Sequence, residues 1–383
     1  MTEKIKTTAP VSSVGADGAQ PNIKKHNEII ANETAQINLQ AAQNREKSGN
    51  GRLQTISMTE LYDTVYPPRT PIVEGFLYGG TYLFVGAPKV GKSFFMGQLA
   101  YHVAMGISLW DYPVRKGTVL YLALEDDYAR LQRRLSGMFG VECADNLYFA
   151  TQAKTLNEGL DRQLEEFLKE HTDARLIIID TLQKVREVGG DRYSYSSDYE
   201  VIGKLKQFAD RHGVCILIVH HTRKQPAGDS FEKISGTTGL SGCADGALIM
   251  QKEKRTDGKA TLEISGRDQP DQRLYLSKDQ ERLGWLLDHA ENELWKQPPD
   301  PVLEAVAKMV SDENREWEGS PTELAEALQL NMAVNRLTKH LNVNASRLLE
   351  EHQVKYENKT KHAGRRIRLT YMVVEAPAFE VIE

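Results

Sequence analysis

The chain is poor in cysteine, in long apolar runs and in excess charge of either sign. Its three cysteines, Cys143, Cys215 and Cys243, form no CxxC pair, which argues against a zinc finger and a disulfide framework. Basic residues number 48 and acidic residues 53, so a surface for nucleic acid must be local. No stretch approaches the roughly 18 apolar residues of a membrane span, and the N-terminus has no signal-peptide core. We therefore expect a protein of the reducing cytoplasm.

The length of 383 residues predicts two domains with tails. Residues 1–56 are rich in polar residues and nearly free of aromatics, which predicts a disordered arm. Part of this arm could become helical against a partner subunit, but a solvated tail is the simpler interpretation. Residues 57–295 form the larger predicted domain, the proline-rich segment 296–301 a linker, and residues 302–383 a second domain.

Short apolar runs alternate with helical segments across the larger domain. The runs are "TYLFVGA", "TVLYLAL", "RLIIID", "VCILIVHH" and "GALIMQKE". Continuous apolar runs are typical of parallel strands that are covered by helices on both faces. We therefore expect an α/β domain with a mainly parallel sheet.

The strongest motif is "GAPKVGKS", residues 86–93, which fits GxxxxGK[ST] between an apolar run and a helical segment. Such a loop wraps phosphates with backbone N–H groups at the start of a helix. Lys92 is expected to reach the terminal phosphates, and Ser93 to offer its hydroxyl to Mg²⁺. The predicted nucleotide contacts are Gly86, Ala87, Pro88, Lys89, Val90, Gly91, Lys92, Ser93 and Phe94. The loop predicts a site for a nucleoside triphosphate.

Carboxylates follow two of the apolar runs. Asp180 ends "RLIIID", where it would hold Mg²⁺ through a water. Glu125 follows "VLYLAL" and is expected at the same sheet edge, where a carboxylate can deprotonate the attacking water. Asp126 and Asp127 are read as a turn or a helix cap.

Two adjacent histidines, His220 and His221, end the run "ILIV". They could be metal ligands, catalytic bases or ordinary polar residues at a strand end. Alternating side chains point them to opposite faces, and no third ligand stands nearby. A metal site is thus disfavoured, and the phosphate loop already implies Mg²⁺ at Ser93 and Asp180.

These motifs, together with "VEGFLYGG", "ISGTTGLSGCADGAL" and "ISGRDQP", resemble the RepA-like branch of RecA-type ATPases over residues 70–290. Members of this branch are ring-forming replicative helicases of plasmids and mobile elements. The resemblance implies a RecA-like P-loop core that binds ATP and Mg²⁺, a homo-oligomeric ring such as a hexamer, and other replication proteins as possible partners.

The resemblance also implies roles for single residues. Glu125 matches the catalytic base, and His221 matches a γ-phosphate sensor. Arg267 matches an arginine that reaches the neighbouring subunit's ATP, although Ser265 stands where a lysine is common. Arg134 matches an arginine that packs on adenine. Without the resemblance, Arg267 would be read as a surface residue in a turn.

Two stretches without strong periodicity follow Asp180 and the histidines. In RecA-type rings the equivalent loops touch single-stranded DNA. They are also the ordinary form of surface loops, and the resemblance favours DNA. The basic residues available for contact are Lys184, Arg186, Arg192, Arg223, Lys224 and Lys233.

The sequence of the C-terminal domain predicts three helices followed by two strands around a "KHAG" turn. Ser320 and Glu323 fit a capping box with Pro321 at the first helical position. Helices followed by a basic hairpin resemble a winged helix. Residues 355–371 hold six basic residues against one acidic residue, a local net charge of +5, which suits phosphate contacts. The predicted DNA contacts are Lys359, Lys361, Arg365 and Arg366.

The sequence therefore predicts an ATP-dependent DNA helicase or translocase that moves on single-stranded DNA. The alternative is a DNA-binding regulatory ATPase without unwinding activity. No lid or acceptor pocket is recognisable that would favour a small-molecule kinase.

Overall fold

The structure is a computed structural model of the chain. It describes residues 55–66, 71–186, 195–221, 242–252, 254, 257–267, 269–292, 298–311, 313–361 and 364–372. The arm predicted for residues 1–56 lies outside these ranges up to residue 54. The predicted DNA contacts Arg192, Arg223, Lys224 and Lys233 also lie outside them.

A mainly parallel sheet forms the centre of the larger unit. Helix α1 (Met58–Asp63) and a small antiparallel pair, β1 (Pro71–Val73) and β2 (Leu77–Tyr78), precede it. Within the described residues its nine strands are β3 (Gly80–Gly86), β4 (Thr118–Ala123), β5 (Leu147–Ala150), β6 (Ala174–Asp180), β7 (Cys215–His221), β8 (Gly246–Gln251), β9 (Lys259–Gly266), β10 (Gln269–Lys278) and β11 (Trp285–Asn292). Their spatial order is β11-β10-β9-β8-β3-β7-β6-β4-β5. Strand β3 therefore lies between β7 and β8, and β7 separates it from β6.

The sheet is parallel from β5 to β8, and β9 to β11 extend it with antiparallel pairs. The five apolar runs coincide with β3, β4, β6, β7 and β8, so the predicted α/β class and parallel core are confirmed. The antiparallel extension and β5 were not predicted. Parallel order brings the carboxyl ends of β3, β4, β6 and β7 to one edge of the sheet.

Helices cover both faces of the sheet, as the apolar runs require. Neighbouring residues of β3 alternate between two separate hydrophobic cores, with Tyr82 and Phe84 in one and Leu83 and Val85 in the other. The helices of this unit are α2 (Lys92–Met105), α3 (Tyr128–Phe139), α4 (Leu160–Glu170), α5 (Leu182–Val185) and α6 (Tyr195–His212). Helices α2 and α3 supply side chains to the first core, and α4 to α6 to the second.

The C-terminal unit has its own hydrophobic core. Its elements are α7 (Pro301–Met309), β12 (Glu316–Gly319), α8 (Pro321–Leu328), α9 (Val334–Val343), α10 (Ala345–His352), β13 (Val354–Lys361) and β14 (Gly364–Tyr371). The predicted capping box is present, because Glu323 N donates to Ser320 Oγ and Ser320 N donates to Glu323 Oε2. The strands form a sheet in the order β12-β14-β13.

Helix α1 packs against this C-terminal unit, although the sequence assigned residues 57–66 to the larger domain. The side chain of Asn342 on α9 donates to Tyr62 O at 2.9 Å, and Val65 packs against the C-terminal core. Among the described helices, none has the length and apolar character that crossing a membrane requires.

Candidate nucleotide site

The loop between β3 and α2 has the geometry that a phosphate loop requires. Gly91 precedes α2 with a left-handed backbone at φ 108°, which only glycine adopts without strain. A Cβ on Gly86 would lie 2.7 Å from Met250 O on the neighbouring strand β8. Both glycines of the motif are therefore fixed by backbone shape and close packing. Ala87, Pro88 and Lys89 form the exposed rim of the loop, while Val90 is buried beneath it.

Lys92 folds back over this loop and is only 5% exposed. Its ammonium donates to Gly86 O at 2.7 Å and to Ala87 O at 3.0 Å. A third contact joins Nζ to His221 Nδ1 at 2.9 Å. Burial lowers the pKa of Lys92 to about 8, and the carboxylates of Asp180 and Glu125 oppose this shift. The ammonium is thus held where it can meet the phosphates.

Asp180 and Ser93, the two residues predicted to hold Mg²⁺, meet at the carboxyl end of β6. Ser93 Oγ donates to Asp180 Oδ2 at 3.2 Å, and the Tyr121 hydroxyl donates to the same oxygen at 2.9 Å. Burial raises the pKa of Asp180, which is 7% exposed. A carboxylate and a hydroxyl are the hard oxygen donors that Mg²⁺ prefers, with its other positions left for water and phosphate. These two residues therefore fit the ion, whereas no group of three His, Cys, Asp or Glu ligands occurs in the described ranges.

Glu125 lies at the same carboxyl edge of the sheet as Asp180. Its Oε1 accepts from Thr181 Oγ1 at 3.2 Å, and its Oε2 lies 3.8 Å from His221 Nε2, beyond direct hydrogen-bonding distance. The Glu125 side chain is 45% exposed, so water can reach it. Burial, followed by the charge of Lys92, lowers the pKa of His221. A neutral imidazole therefore stands between the Lys92 ammonium and the Glu125 carboxylate.

The register of the strands explains this convergence. His221 pairs with Gly86 across β7 and β3, and Asp180 pairs with Ala123 across β6 and β4. Because these strands end at the same level of the sheet, the side chains at and after their ends lie side by side along its carboxyl edge. Tyr121 and Thr181 were not predicted, because a tyrosine within an apolar run and a threonine after a strand carry no distinguishing local signal.

Lys278, Arg134 and Phe94 form a cationic and aromatic cluster at the start of α2, next to the phosphate loop. Lys278 Nζ lies 3.7 Å from the ring centre of Phe94, and the guanidinium carbon of Arg134 lies 5.5 Å from it. Arg134 also donates to Asp126 Oδ2 at 2.7 Å. Burial, followed by the charge of Lys252, lowers the pKa of Lys278 to about 8. The sequence predicted Phe94 and Arg134 here but not Lys278.

Trp285 supports the phosphate loop from below. The indole is fully buried, its Nε1 donates to Gly91 O at 3.3 Å, and a Cβ on Gly91 would lie 2.7 Å from the ring. Gln98 of α2 bonds both the N–H and the carbonyl of Trp285, at 2.8 and 2.9 Å. The turn between β10 and β11 is thereby fastened to the start of α2, a contact that the sequence pattern did not reveal.

Arg267 lies at the end of the sheet opposite the phosphate loop, level with the amino ends of the parallel strands. Gly266 pairs with Gly246, and Gly246 pairs with Tyr82 near the amino end of β3, so Arg267 stands on the order of 15 Å from the phosphate loop. It is exposed, and its Nη2 donates to Gly242 O at 2.7 Å. Arg267 is therefore not brought together with the other predicted site residues of its own chain.

The predicted DNA contacts fall into two groups. Lys184 is exposed in α5, directly after Asp180, and Arg186 is half-buried. On the C-terminal sheet, basic side chains pair with carboxylates of the same strand or of other elements. The pairs are Lys359 with Glu357 at 2.9 Å, Arg365 with Asp63 at 3.4 Å, Arg366 with Glu323 at 3.5 Å and Arg368 with Glu316 at 2.8 Å. The local excess of positive charge along the sequence is thus largely balanced in space, and the side chain of Lys361 lies outside the described part.

Comparison with known proteins agrees with this site. An AAA domain family model matches residues 50–227, just under half of the chain, and this range includes the phosphate loop, Glu125, Asp180 and His221. A search of curated proteins found no match. The match and the loop geometry together identify the core as an ATP-hydrolysing P-loop domain.

Three solved structures are similar to parts of the chain. One, described as an ATPase domain, has 15% identity and a TM-score of 0.45, covering 65% of this chain and 96% of its own. A DnaB-like replicative helicase has 14% identity and a TM-score of 0.48, covering 69% and 75%. A KaiC-like protein from Pyrococcus horikoshii has 16% identity and a TM-score of 0.42, covering 58% and 99%.

Proposed function

We propose that this chain is an ATP-dependent DNA helicase or translocase of the RepA-like ring type, acting in the replication of a plasmid or mobile element. The observation that carries the proposal is the row Lys92, His221 and Glu125 beside the Ser93–Asp180 pair. The row combines a phosphate-binding cation, a neutral hydrogen-bonding group and a carboxylate that water can reach. These are the groups that phosphoryl transfer to water requires.

In the proposed reaction the chain positions ATP and water and stabilises charge. Mg²⁺ held by Ser93 and Asp180 would neutralise charge on the phosphates. Glu125, oriented by Thr181, accepts a proton from the attacking water. Lys92 moves its hydrogen bonds from loop carbonyls and His221 to phosphate oxygens.

His221 is suited to sense the γ-phosphate. Its Nδ1 shares the Lys92 ammonium, so a phosphate that draws this ammonium away leaves His221 with a changed partner. The chain continues from His221 directly into residues 222–241, which include the predicted DNA contacts Arg223, Lys224 and Lys233. We propose that this step couples ATP turnover to contacts with single-stranded DNA, together with Lys184 and Arg186.

A ring supplies the group that the site lacks within one chain. Arg267 is exposed at the sheet edge far from its own phosphate loop, so it can serve an ATP only in a neighbouring subunit. An arginine supplied in trans stabilises transition-state charge by a factor on the order of 10³ or more. Heterologous contacts form a ring when the rotation between subunits closes, and a hexamer is the form that the resemblance implies.

The second candidate function is a DNA-binding regulatory ATPase. The balanced charge on the C-terminal sheet favours it, because binding through paired side chains can be switched. An unwinding assay with a forked duplex, run beside a binding assay with the same DNA, separates the two functions. The helicase proposal requires ATP-dependent strand separation that Glu125→Gln abolishes. Bound DNA with ATP hydrolysis but no separation would leave the regulatory ATPase.

A further inference from the structure

The N-terminal segment of the described chain lies on the C-terminal unit and meets it through polar groups. We call residues 55–66 the strap. Tyr62 O accepts from Asn342 Nδ2 at 2.9 Å, and Asp63 Oδ2 lies 3.4 Å from Arg365 Nη2. The strap thus crosses from α9, which carries Asn342, to the amino end of β14, which carries Arg365.

Asn342 is fixed in the orientation that presents its N–H groups to the strap. The side chain is 2% exposed, and its Oδ1 accepts from Tyr356 OH at 3.0 Å and from Asn358 Nδ2 at 3.0 Å. Two donors on one amide oxygen assign the remaining position to the NH₂ group. Asn342 and Arg365 therefore present two donors to the same segment of chain, and we call the surface of these two residues the strap site.

Oxygen acceptors of the strap contact both donors of the strap site. A backbone carbonyl bonds the buried amide, and a carboxylate pairs with the guanidinium. Amide and guanidinium donors are the groups with which proteins contact phosphate oxygens of DNA. The strap thus offers two oxygen acceptors on neighbouring residues, the Tyr62 carbonyl and the Asp63 carboxylate.

The strap is held loosely enough to leave. Most of its large apolar side chains stay exposed even while it is docked, including Met58 at 66% and Leu61 at 43%. Asp63 and Arg365 are themselves 30% and 44% exposed, so their ion pair is weak and screened by salt. Val65 is the strap residue that packs against the core, and it is only partly buried.

We propose that the strap site, formed by Asn342 of α9 and Arg365 of β14, binds the DNA backbone and that the strap occupies it in cis. Phosphate oxygens replace Tyr62 O at Asn342 and the Asp63 carboxylate at Arg365. The strap then limits DNA binding by the C-terminal unit until DNA displaces it. The inference rests on the proposed DNA-binding function and adds its regulation.

The test uses the full chain and a fluorescent duplex, with the same strand alone as a second probe. Asp63→Asn removes the pairing charge while keeping the side chain's size. We expect affinity for the duplex and for the single strand to rise several-fold at low salt, because DNA no longer has to break the Asp63–Arg365 ion pair. The gain should shrink as the salt concentration rises, because salt already weakens that exposed pair in the wild type.

Two controls separate this effect from a general change in charge. Asp271→Asn removes one carboxylate from an exposed position on β10 and should leave DNA affinity unchanged. In an Arg365→Gln background, Asp63→Asn should give no gain. An equal gain from Asp271→Asn or in the Arg365→Gln background would overturn the proposal, as would binding of neither probe by any variant.

Hydrogen exchange of the wild-type chain gives a second measurement that needs no variant. Bound DNA should increase amide exchange in residues 55–66, because the strap has left the strap site. Unchanged protection of these amides with DNA bound would contradict displacement. ATP hydrolysis in the same preparations is a separate readout: failure of DNA to stimulate wild-type turnover counts against the helicase, whereas failure of Asp63→Asn to strengthen binding counts against the strap.

Discussion

Lys92 is the residue on which the candidate site depends most. Its ammonium is bound by two loop carbonyls and by His221, in a position that is almost closed to solvent. A buried cation is costly even when it is hydrogen-bonded, since burial disfavours the charged form. The chain therefore gives up stability at this position in exchange for a cation beside the phosphates.

Lys92→Met tests this cost through its pH dependence. The pKa of Lys92 is about 8 in the folded protein and near 10.5 in the unfolded chain. At pH values between these two pKa values, the unfolded wild-type chain binds more protons than the folded chain. The free energy of unfolding of the wild type therefore increases with pH in this range, relative to that of the variant. Urea unfolding should show a variant-minus-wild-type difference that is constant below pH 8 and then falls as pH rises towards 10.5. A difference that is independent of pH would contradict the buried charge.

Glu125→Gln separates binding from chemistry. The amide keeps the size of the side chain and can still contact Thr181, but it cannot accept the proton of water. We expect ATP affinity to be retained and turnover to fall by about 100-fold or more, which is the range for a lost general base. A fluorescent ATP analogue and a steady-state phosphate assay measure the two quantities.

Asp127→Asn is the matched control for this variant. Asp127 caps α3 by accepting from Arg130 N at 2.7 Å, and asparagine caps equally well. Its turnover should equal that of the wild type. If Glu125→Gln hydrolysed ATP as fast as Asp127→Asn, Glu125 would not be the base.

At the residue scale, sequence could place the groups that end strands. Asp180, Glu125 and His221 each follow an apolar run, and parallel strands bring such ends to one edge. Tyr121 and Lys278 could not be found in this way, because their contacts with Asp180 and Phe94 join positions that are distant in the chain.

At the scale of elements, the hairpin β10–β11 acts as a support for the phosphate loop. Its turn presents Trp285 to Gly91 and Gln98, and Lys278 to Phe94. Lys278 also donates to Leu283 O within this turn. Strand β11 ends at Asn292 and the first helix of the C-terminal unit begins at Pro301, so the support lies next to the connection between the units.

Trp285→Ala tests whether this support shapes the nucleotide site. Removing a fully buried indole leaves a cavity under Gly91, with an expected loss of about 3–5 kcal/mol in the free energy of unfolding. We also expect weaker binding of a fluorescent ATP analogue, whereas Trp285→Phe, which refills most of the space, should retain most of it.

Leu274→Ala provides the comparison. Leu274 is equally buried on β10 but belongs to the general core, so its loss should lower stability by about 2–5 kcal/mol without changing ATP affinity. If both alanine variants bound ATP like the wild type, the hairpin would have only a structural role.

The fold could be predicted in part at this scale. Continuous apolar runs between helical segments predicted the parallel strands, since both faces of those strands are buried. The packing of α1 against α9 and β14 could not be predicted, because one amide and one ion pair join residues from opposite ends of the chain. The antiparallel extension was not predicted, because the sequence shows neither the order of these strands in the sheet nor the direction in which they pair.

At the scale of the whole molecule, the proposed ring makes each ATP site a product of two chains. One chain supplies Lys92, Glu125 and His221, and the next supplies Arg267. The position of Arg267 at the far edge of its own sheet excludes a role at its own phosphate loop. Oligomer and activity should therefore be inseparable.

Mixing two inactive variants tests this sharing. Lys92→Ala and Arg267→Ala should each be inactive alone, because every site lacks one group. In a mixed ring an intact site forms wherever Arg267 of a Lys92→Ala subunit meets an Arg267→Ala neighbour, which is about a quarter of the sites at equal random mixing. The measurement is ATP turnover against mixing ratio after subunit exchange.

Mixing Lys92→Ala with Glu125→Gln provides the internal comparison. Lys92→Ala with Glu125→Gln cannot rescue, because both changes fall on the same side of the interface. Absence of rescue at every ratio of Lys92→Ala to Arg267→Ala, in rings shown to exchange subunits, would remove Arg267 from the site.

The most direct test of the central claim is the rate of ATP hydrolysis by the purified wild-type chain with Mg²⁺, measured with and without single-stranded DNA. The proposed coupling of the phosphate site to DNA through the segment after His221 predicts hydrolysis that single-stranded DNA accelerates. Hydrolysis at one rate regardless of DNA would contradict a DNA-driven motor.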